Sequence, residues 1–249
     1  MQTMGYMHSK LQVLKFPGHL RIVVPTGNLV PYDWGEAGTL ENGVDATMVQ
    51  SLRSYDFTET ARYAFVHSIA GSHTDESWKR TGYSGLGRAV NTLGWATNKP
   101  IQIDYIASSI GSVSDDLINA LYYSCQGDSG LKELEARTSK PRATKGKNAI
   151  PAMSSAPSTP SNPKNSLRLY FPSEETVQNS LGGKTWWESP SFPRAILRDG
   201  QNVRKGILMH TKLLLARTGS GAGETQPGQS SRPRGWAYVG SANMSESAW

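Results

Sequence analysis

The stretch "GILMHTKLLLAR" (206–217) has the apolar composition of a buried strand, yet it contains two polar residues one position apart, His210 and Lys212. Side chains along a strand alternate between faces, so these two would share one. The same arrangement occurs in "YMHSKLQVL" (6–14), with His8 and Lys10. Each unit is followed by a second apolar segment that ends in a small-residue turn with asparagine. "RIVVPTGNL" supplies Asn28 and "AYVGSANMS" supplies Asn243. The second unit is the longer of the two, and the turn-rich loop "TGSGAGETQPGQSSRPRG" (218–235) accommodates the difference. A single His-x-Lys pair carries no weight, because such pairs occur by chance. Two of them, each leading through a hairpin-like segment to a similar asparagine turn, read as one pattern used twice.

Two histidines, two lysines and two asparagines facing one another would make a pocket rich in hydrogen-bond donors and positive charge. Such a pocket suits a phosphate diester. One histidine can attack phosphorus and carry it as a phosphohistidine, while the other protonates the leaving oxygen and then activates water. Lysine and asparagine donors would stabilise charge on the remaining phosphate oxygens, a task metal ions perform in other phosphodiesterases. No metal or other cofactor is expected.

Composition sets the bounds around this site. The 249 residues suffice for one large domain or two small ones. Lys and Arg outnumber Asp and Glu by 26 to 20, giving a formal charge of +6 and a pI of about 9.4. A basic surface favours an anionic partner such as nucleic acid without specifying one. The single cysteine, Cys125, excludes an intramolecular disulfide and fits a reducing compartment. No run approaches the ~18 apolar residues of a membrane helix, and the N-terminus lacks the apolar core of a signal peptide. An intracellular chain is expected.

The strand-helix alternation favours an α/β fold with a mixed sheet. Strands are expected at 8–14, 20–25, 101–108, 167–173, 206–217 and 236–244, and another in "YAFVHSIA" (63–70) after a helix within 48–70. Helices are expected over 84–96, over 115–127 with Ser114 as N-cap, and over 174–181 with Ser173 as N-cap. Residues 137–166 carry six Lys and Arg and no acid among Ser, Pro, Thr and Ala, which reads as a disordered basic insertion. Trp186 and Trp187 read as core or interface aromatics, or as stacking partners for bases. His19, His67 and His73 have no partner pattern.

In these residues the sequence resembles the phospholipase D superfamily, and within it the tyrosyl-DNA phosphodiesterases. The general superfamily motif is His-x-Lys-x4-Asp, and the positions its aspartates would occupy are Lys15 and Arg217. Tyrosyl-DNA phosphodiesterases lack that aspartate and use a downstream asparagine. "SSIGS" (108–112), "LYFPSEETVQNS" (169–180) and "GSANMSESAW" (240–249) are similar to the same family, and "WWESPSFPR" (186–194) and "CQGDSG" (125–130) to its fungal members. The resemblance implies an αβα sandwich of two pseudo-equivalent halves. Residues 1–98 would be the C-terminal part of the first half and 99–249 the second, with the insertion inside it. It implies further strands before His8 and beyond Trp249, so that the chain would correspond to the middle of the enzyme, truncated at both ends.

Carried over by position, His8 would be the nucleophile and His210 the general acid and then base. Lys10, Lys212, Asn28 and Asn243 would hold the phosphate, and Ser109, Ser112, Ser245 and Ser247 would contact the DNA strand. Glu41 is the nearest match to a carboxylate that orients the acid histidine, with Glu36 as runner-up. The implied reaction cleaves the bond between a DNA 3′-phosphate and a tyrosine of stalled topoisomerase I, in the nucleus, by a monomer that needs no metal and also trims other 3′-adducts. Two other readings remain open: a lipid- or nuclease-type phospholipase D, and a DNA-binding remnant without turnover.

Overall fold

Alternating burial along "IQIDYI" sets the centre of the fold. Ile101, Ile103 and Tyr105 point to one face of a strand and are all but fully buried, while Gln102 on the other face is exposed. A computed structural model of the chain describes residues 10–26, 54–69, 73, 76–138, 162–183, 194–200, 202–218 and 235–249. The first described element is an antiparallel hairpin of β1 (Gln12–Lys15) and β2 (Leu20–Val23), in which Gln12 pairs with Val23 and Lys15 with Leu20. The chain continues through α1 (Gly82–Thr92), β3 (Ile101–Ile106), α2 (Asp115–Cys125), α3 (Leu131–Thr138), α4 (Pro163–Ser166), β4 (Leu167–Tyr170), α5 (Glu174–Gln178), β5 (Leu197–Arg198), β6 (Leu213–Thr218) and β7 (Gly235–Val239).

Strands β3 to β7 form a mixed five-stranded sheet in the order β5-β4-β3-β6-β7. Strands β3, β4 and β5 are mutually parallel, and β6 runs antiparallel to both β3 and β7. The mixed sheet with its helices has the phospholipase D-like αβα character expected of the sequence. The inward face carries Ile103, Tyr105, Leu167, Leu169, Leu214 and Ala216, packed with Leu86 and Val90 of α1 and Leu117, Ile118 and Leu121 of α2. Each such fully buried aliphatic side chain stabilises the fold by about 1.5–3 kcal/mol. Ser114 caps α2 as expected, its Oγ accepting from Leu117 N at 3.1 Å, and Ser173 caps α5 by accepting from Thr176 N at 3.2 Å.

The outward face is polar at its centre. Asp104 accepts from Arg168 Nε at 2.5 Å and from Arg168 Nη2 at 2.7 Å, and from Arg217 Nη2 on the opposite neighbouring strand at 2.8 Å. One carboxylate thus ties β4, β3 and β6 together, and it raises the Arg168 guanidinium further above its ordinary value, chiefly through their hydrogen bonds.

Several expectations need correction. "GILMHTKLLLAR" is a strand only from Leu213 onward, and residues 207–212 form no regular element. His210 is exposed and Lys212 fully buried, so they do not line up as strand neighbours on one face. The first strand likewise starts at Gln12, after Lys10. The described residues of "YAFVHSIA", 63–69, form no strand: Tyr63 and Phe65 are both exposed, and among them only His67 makes a single bridge, to Thr81. The helix expected within 48–70 lies in part outside the described residues; from Ser54 on, the chain shows 3-10 geometry at Ser54 and at Thr58–Thr60. The basic segment is shorter than 137–166, because α3 runs through Thr138 and α4 starts at Pro163. Residues 139–161, like Trp186 and Trp187, lie outside the described residues.

Candidate active site

One end of the five-stranded sheet collects the polar segments. Ile106 at the end of β3 pairs with Leu213 at the start of β6, and Leu213 pairs with Val239 at the end of β7. The chain therefore leaves β3 into "ASSIGS", enters β6 from Lys212, and leaves β7 into "GSANMSES" at the same edge. The carboxyl ends of parallel strands are where α/β sheets commonly bind ligands, because the chain must turn there and exposes its backbone groups.

Lys212 stands at the foot of β6 with no solvent exposure. Its ammonium lies 3.0 Å from Nδ1 and 2.9 Å from Nε2 of His210, in contact with the imidazole ring. It also donates to the His210 carbonyl at 2.9 Å and to the Thr26 carbonyl at 3.3 Å. A buried ammonium is costly unless it is hydrogen-bonded, and these acceptors supply that compensation. Thr26 follows β2 in the first unit, so this contact joins the two His-x-Lys units across the molecule. Lys10 precedes β1 as Lys212 precedes β6, and it lies on the wall of a cleft of roughly 1220 Å³ between the hairpin and the β7 side of the sheet.

Asn243 projects from the turn after β7. Its Oδ1 accepts from Ser108 Oγ and from Ser109 N, both at 3.2 Å. The turn itself is held by two tyrosines on the inward face of the sheet. Tyr105 Oη donates to the Ala242 carbonyl at 2.9 Å and accepts from Trp249 Nε1 at 3.0 Å, while Ala242 N donates to Tyr238 Oη at 3.4 Å. Burial pushes the Tyr105 hydroxyl well above its ordinary pKa, and Tyr238 in the same direction, so both stay neutral and able to donate.

The "SSIGS" and "NMSES" segments are stitched to each other. Gly111 N donates to the Met244 carbonyl at 2.9 Å, and Ser114 Oγ donates to Glu246 Oε1 at 3.0 Å. A Cβ added at Gly111 would come within 2.7 Å of the Ser245 Cβ, which is why only glycine fits between them. Ser245 and Ser247 hydroxyls lie 3.1 Å apart. Ser109 and Ser112 are exposed on the neighbouring loop. A row of hydroxyls and backbone N–H groups of this kind can bind phosphate oxygens without reading bases.

Of the residues singled out from the sequence, the structure brings His210 to Lys212 and the "SSIGS" loop to Asn243. His8, Asn28, Glu41 and Glu36 lie outside the described residues. Sequence reasoning missed Ser108, Tyr105, Tyr238 and Trp249. The tyrosines carried a usable signal, since each falls on the inward face of a strand that leads directly into the site. Among the described residues, no group of three or more His, Cys, Asp or Glu side chains converges, and no helix is long and apolar enough to cross a membrane.

The family model described as tyrosyl-DNA phosphodiesterase matches residues 1–44 and 39–249, which together span the chain. No curated protein and no solved structure matches it.

Proposed function

The chain belongs to the tyrosyl-DNA phosphodiesterase family of phosphodiesterase hydrolases, and from that premise we propose that it removes tyrosine from the 3′-phosphate end of DNA through a phosphohistidine intermediate. The observation that carries the reading is the buried Lys212 ammonium, which sits against His210 and reaches the Thr26 carbonyl at the foot of the first unit. That contact is what a two-part site requires of its halves.

In the proposed reaction, His8 attacks phosphorus and the bond to the tyrosine oxygen breaks. His210 gives its proton to the departing oxygen. Phenol has a pKa near 10, so an imidazolium is a sufficient acid. Lys10, Lys212, Asn28 and Asn243 hold the non-bridging oxygens as charge shifts among them. Water then attacks phosphorus, His210 takes its proton, and the bond to His8 breaks, leaving a free 3′-phosphate. The atoms balance: water contributes hydroxyl to phosphorus and a proton to His210, restoring its acid form. Glu41 is the proposed carboxylate partner of His210.

Ser109, Ser112, Ser245 and Ser247 would bear on the DNA strand, and the net charge of +6 favours that polyanion. The proposed physiological substrate is the peptide of topoisomerase I trapped on DNA, processed in the nucleus by a monomer. Other 3′-adducts that fit the phosphate pocket would be trimmed in the same way. Residues 1–98 and 99–249 are proposed as the two contributing halves.

The test offers the purified chain an oligonucleotide carrying a 3′-phosphotyrosine, in EDTA, beside a phosphatidylcholine vesicle. Tyrosine release with no choline release supports the reading. Choline release, or tyrosine release that requires an added divalent metal, would count against it. Salt-sensitive binding of single-stranded DNA with no product would favour a binding protein instead.

A further inference from the structure

We infer that Ser108 is a positioning residue that fixes the side-chain amide of Asn243 for phosphate binding. The inference rests on the phosphate-binding role proposed above for Asn243. An asparagine amide has an acceptor end and a donor end, and only the donor end can serve a phosphate oxygen. Which end faces outward is settled by the neighbours. Ser109 N is a backbone N–H, so it can only donate, and it lies 3.2 Å from the Asn243 amide. The atom facing it must therefore be Oδ1. The Ser108 hydroxyl donates to that same oxygen at 3.2 Å. With Oδ1 occupied twice, the two hydrogens on Nδ2 become the end that a ligand meets.

The rotation this arrangement restrains is a soft one. The terminal torsion of asparagine is broad, with no deep staggered wells, so packing of Cβ alone would leave the amide free to turn. Other contacts in the turn act on its backbone: Tyr105 and Tyr238 grip the peptide groups of Ala242, and Gly111 N holds the Met244 carbonyl. Ser108 differs from all of them because it touches the functional side chain itself. It also couples the end of β3 to the turn after β7, two segments 135 positions apart in sequence.

The test compares affinity for two oligonucleotides of one sequence, one ending in a 3′-phosphate and one in a 3′-hydroxyl. The ratio of the two dissociation constants isolates recognition of the end group, and a loss of folding or of strand contacts does not move it. Ser108→Ala should reduce the preference for the phosphate end about 3- to 10-fold, leave affinity for the hydroxyl end unchanged, and regain the preference as Ser108→Thr. In an Asn243→Ala background, Ser108→Ala should add nothing further. Equal weakening toward both oligonucleotides, an unchanged ratio, no preference in the native chain, or the same loss in the Asn243→Ala background would overturn the inference. Tyrosine release is measured separately. A chain that shows the Ser108 dependence yet releases no tyrosine supports the inference and overturns the hydrolytic reading; the opposite pairing does the reverse.

Discussion

The ammonium of Lys212 donates to the carbonyl of Thr26 at 3.3 Å, linking the foot of β6 to the end of the hairpin formed near the start of the chain. The contact makes the two repeated units neighbours, and Lys212 is the residue on which both converge. Replacing it with methionine keeps most of the stem volume and removes the buried charge. The Thr26 and His210 carbonyls lose that donor, and relief from burying an ammonium offsets part of the cost. Lys212→Met should therefore shift unfolding by less than about 2 kcal/mol while slowing tyrosine release about 100-fold or more. Denaturant titration and steady-state kinetics on one preparation check this. A rate loss that only mirrors a loss of folded protein would show that Lys212 is structural.

Tyr105 uses its hydroxyl twice, toward the Ala242 carbonyl and from the Trp249 indole. Tyr105→Phe leaves a buried carbonyl and a buried N–H without that partner. A loss of about 1–3 kcal/mol follows from the desolvation of such groups, together with a change in Trp249 fluorescence and slower turnover from a looser Asn243 turn. Unaltered stability would mean that the hydroxyl is dispensable to the turn.

Arg217 occupies the position at which the general phospholipase D motif carries aspartate, and it pairs instead with Asp104 on the outward face. It stands about 13 Å along β6 from Leu213, the residue after Lys212, at ~3.3 Å per residue. Arg217→Asp would set two carboxylates side by side. Arg217 is 51% accessible but Asp104 only 12%, so the cost exceeds that of a surface pair and comes to about 1–3 kcal/mol. Tyrosine release should stay within about twofold of the native rate at a temperature where both proteins are folded, and lipid hydrolysis should not appear. A collapse of activity without loss of stability would place Arg217 in the chemistry.

Alkaline pH should unfold the chain from within. Burial raises Cys125 above its ordinary 9.0, and Tyr105 and Tyr238 above their ordinary 10.0. For groups raised on folding, the unfolded state loses protons first, so their contribution is complete below these ordinary values and is lost as pH rises through them. The urea midpoint should hold to about pH 8.5 and fall between pH 9 and 11. Cys125 should resist a thiol reagent at pH 8 until the protein is denatured. A midpoint that is flat to pH 11, with Cys125 modified at the rate of the unfolded chain, would refute this.

Much of this architecture was legible in the sequence because its causes are local. Alternation in "IQIDYI", Ser114 ahead of two aspartates, and Ser173 ahead of two glutamates each specify an element from adjacent residues. The repeated His-x-Lys units, each before an antiparallel strand pair, were visible as spacing. What could not be read depends on contacts distant in sequence. "YAFVHSIA" has strand composition, but among the described residues only His67 finds a strand-like partner, so Tyr63 and Phe65 stay out of a ladder. The start of β6 at Leu213 is set by its pairing with Ile106 and Val239, which leaves His210 and Lys212 in the approach to the strand. The role of Ser108 is legible only once β3 and the turn after β7 are known to end at the same edge.

The central claim is that His8 bonds to phosphorus and His210 completes the cycle. The most direct measurement follows a 5′-labelled oligonucleotide with a 3′-phosphotyrosine, in EDTA, on a denaturing gel that preserves phosphohistidine. The account predicts rapid conversion to the 3′-phosphate by the native chain, a covalent protein–DNA band that accumulates with His210→Asn, and neither band nor product with His8→Ala. Product formed at the native rate by His8→Ala, or a covalent band that persists without His8, would contradict it.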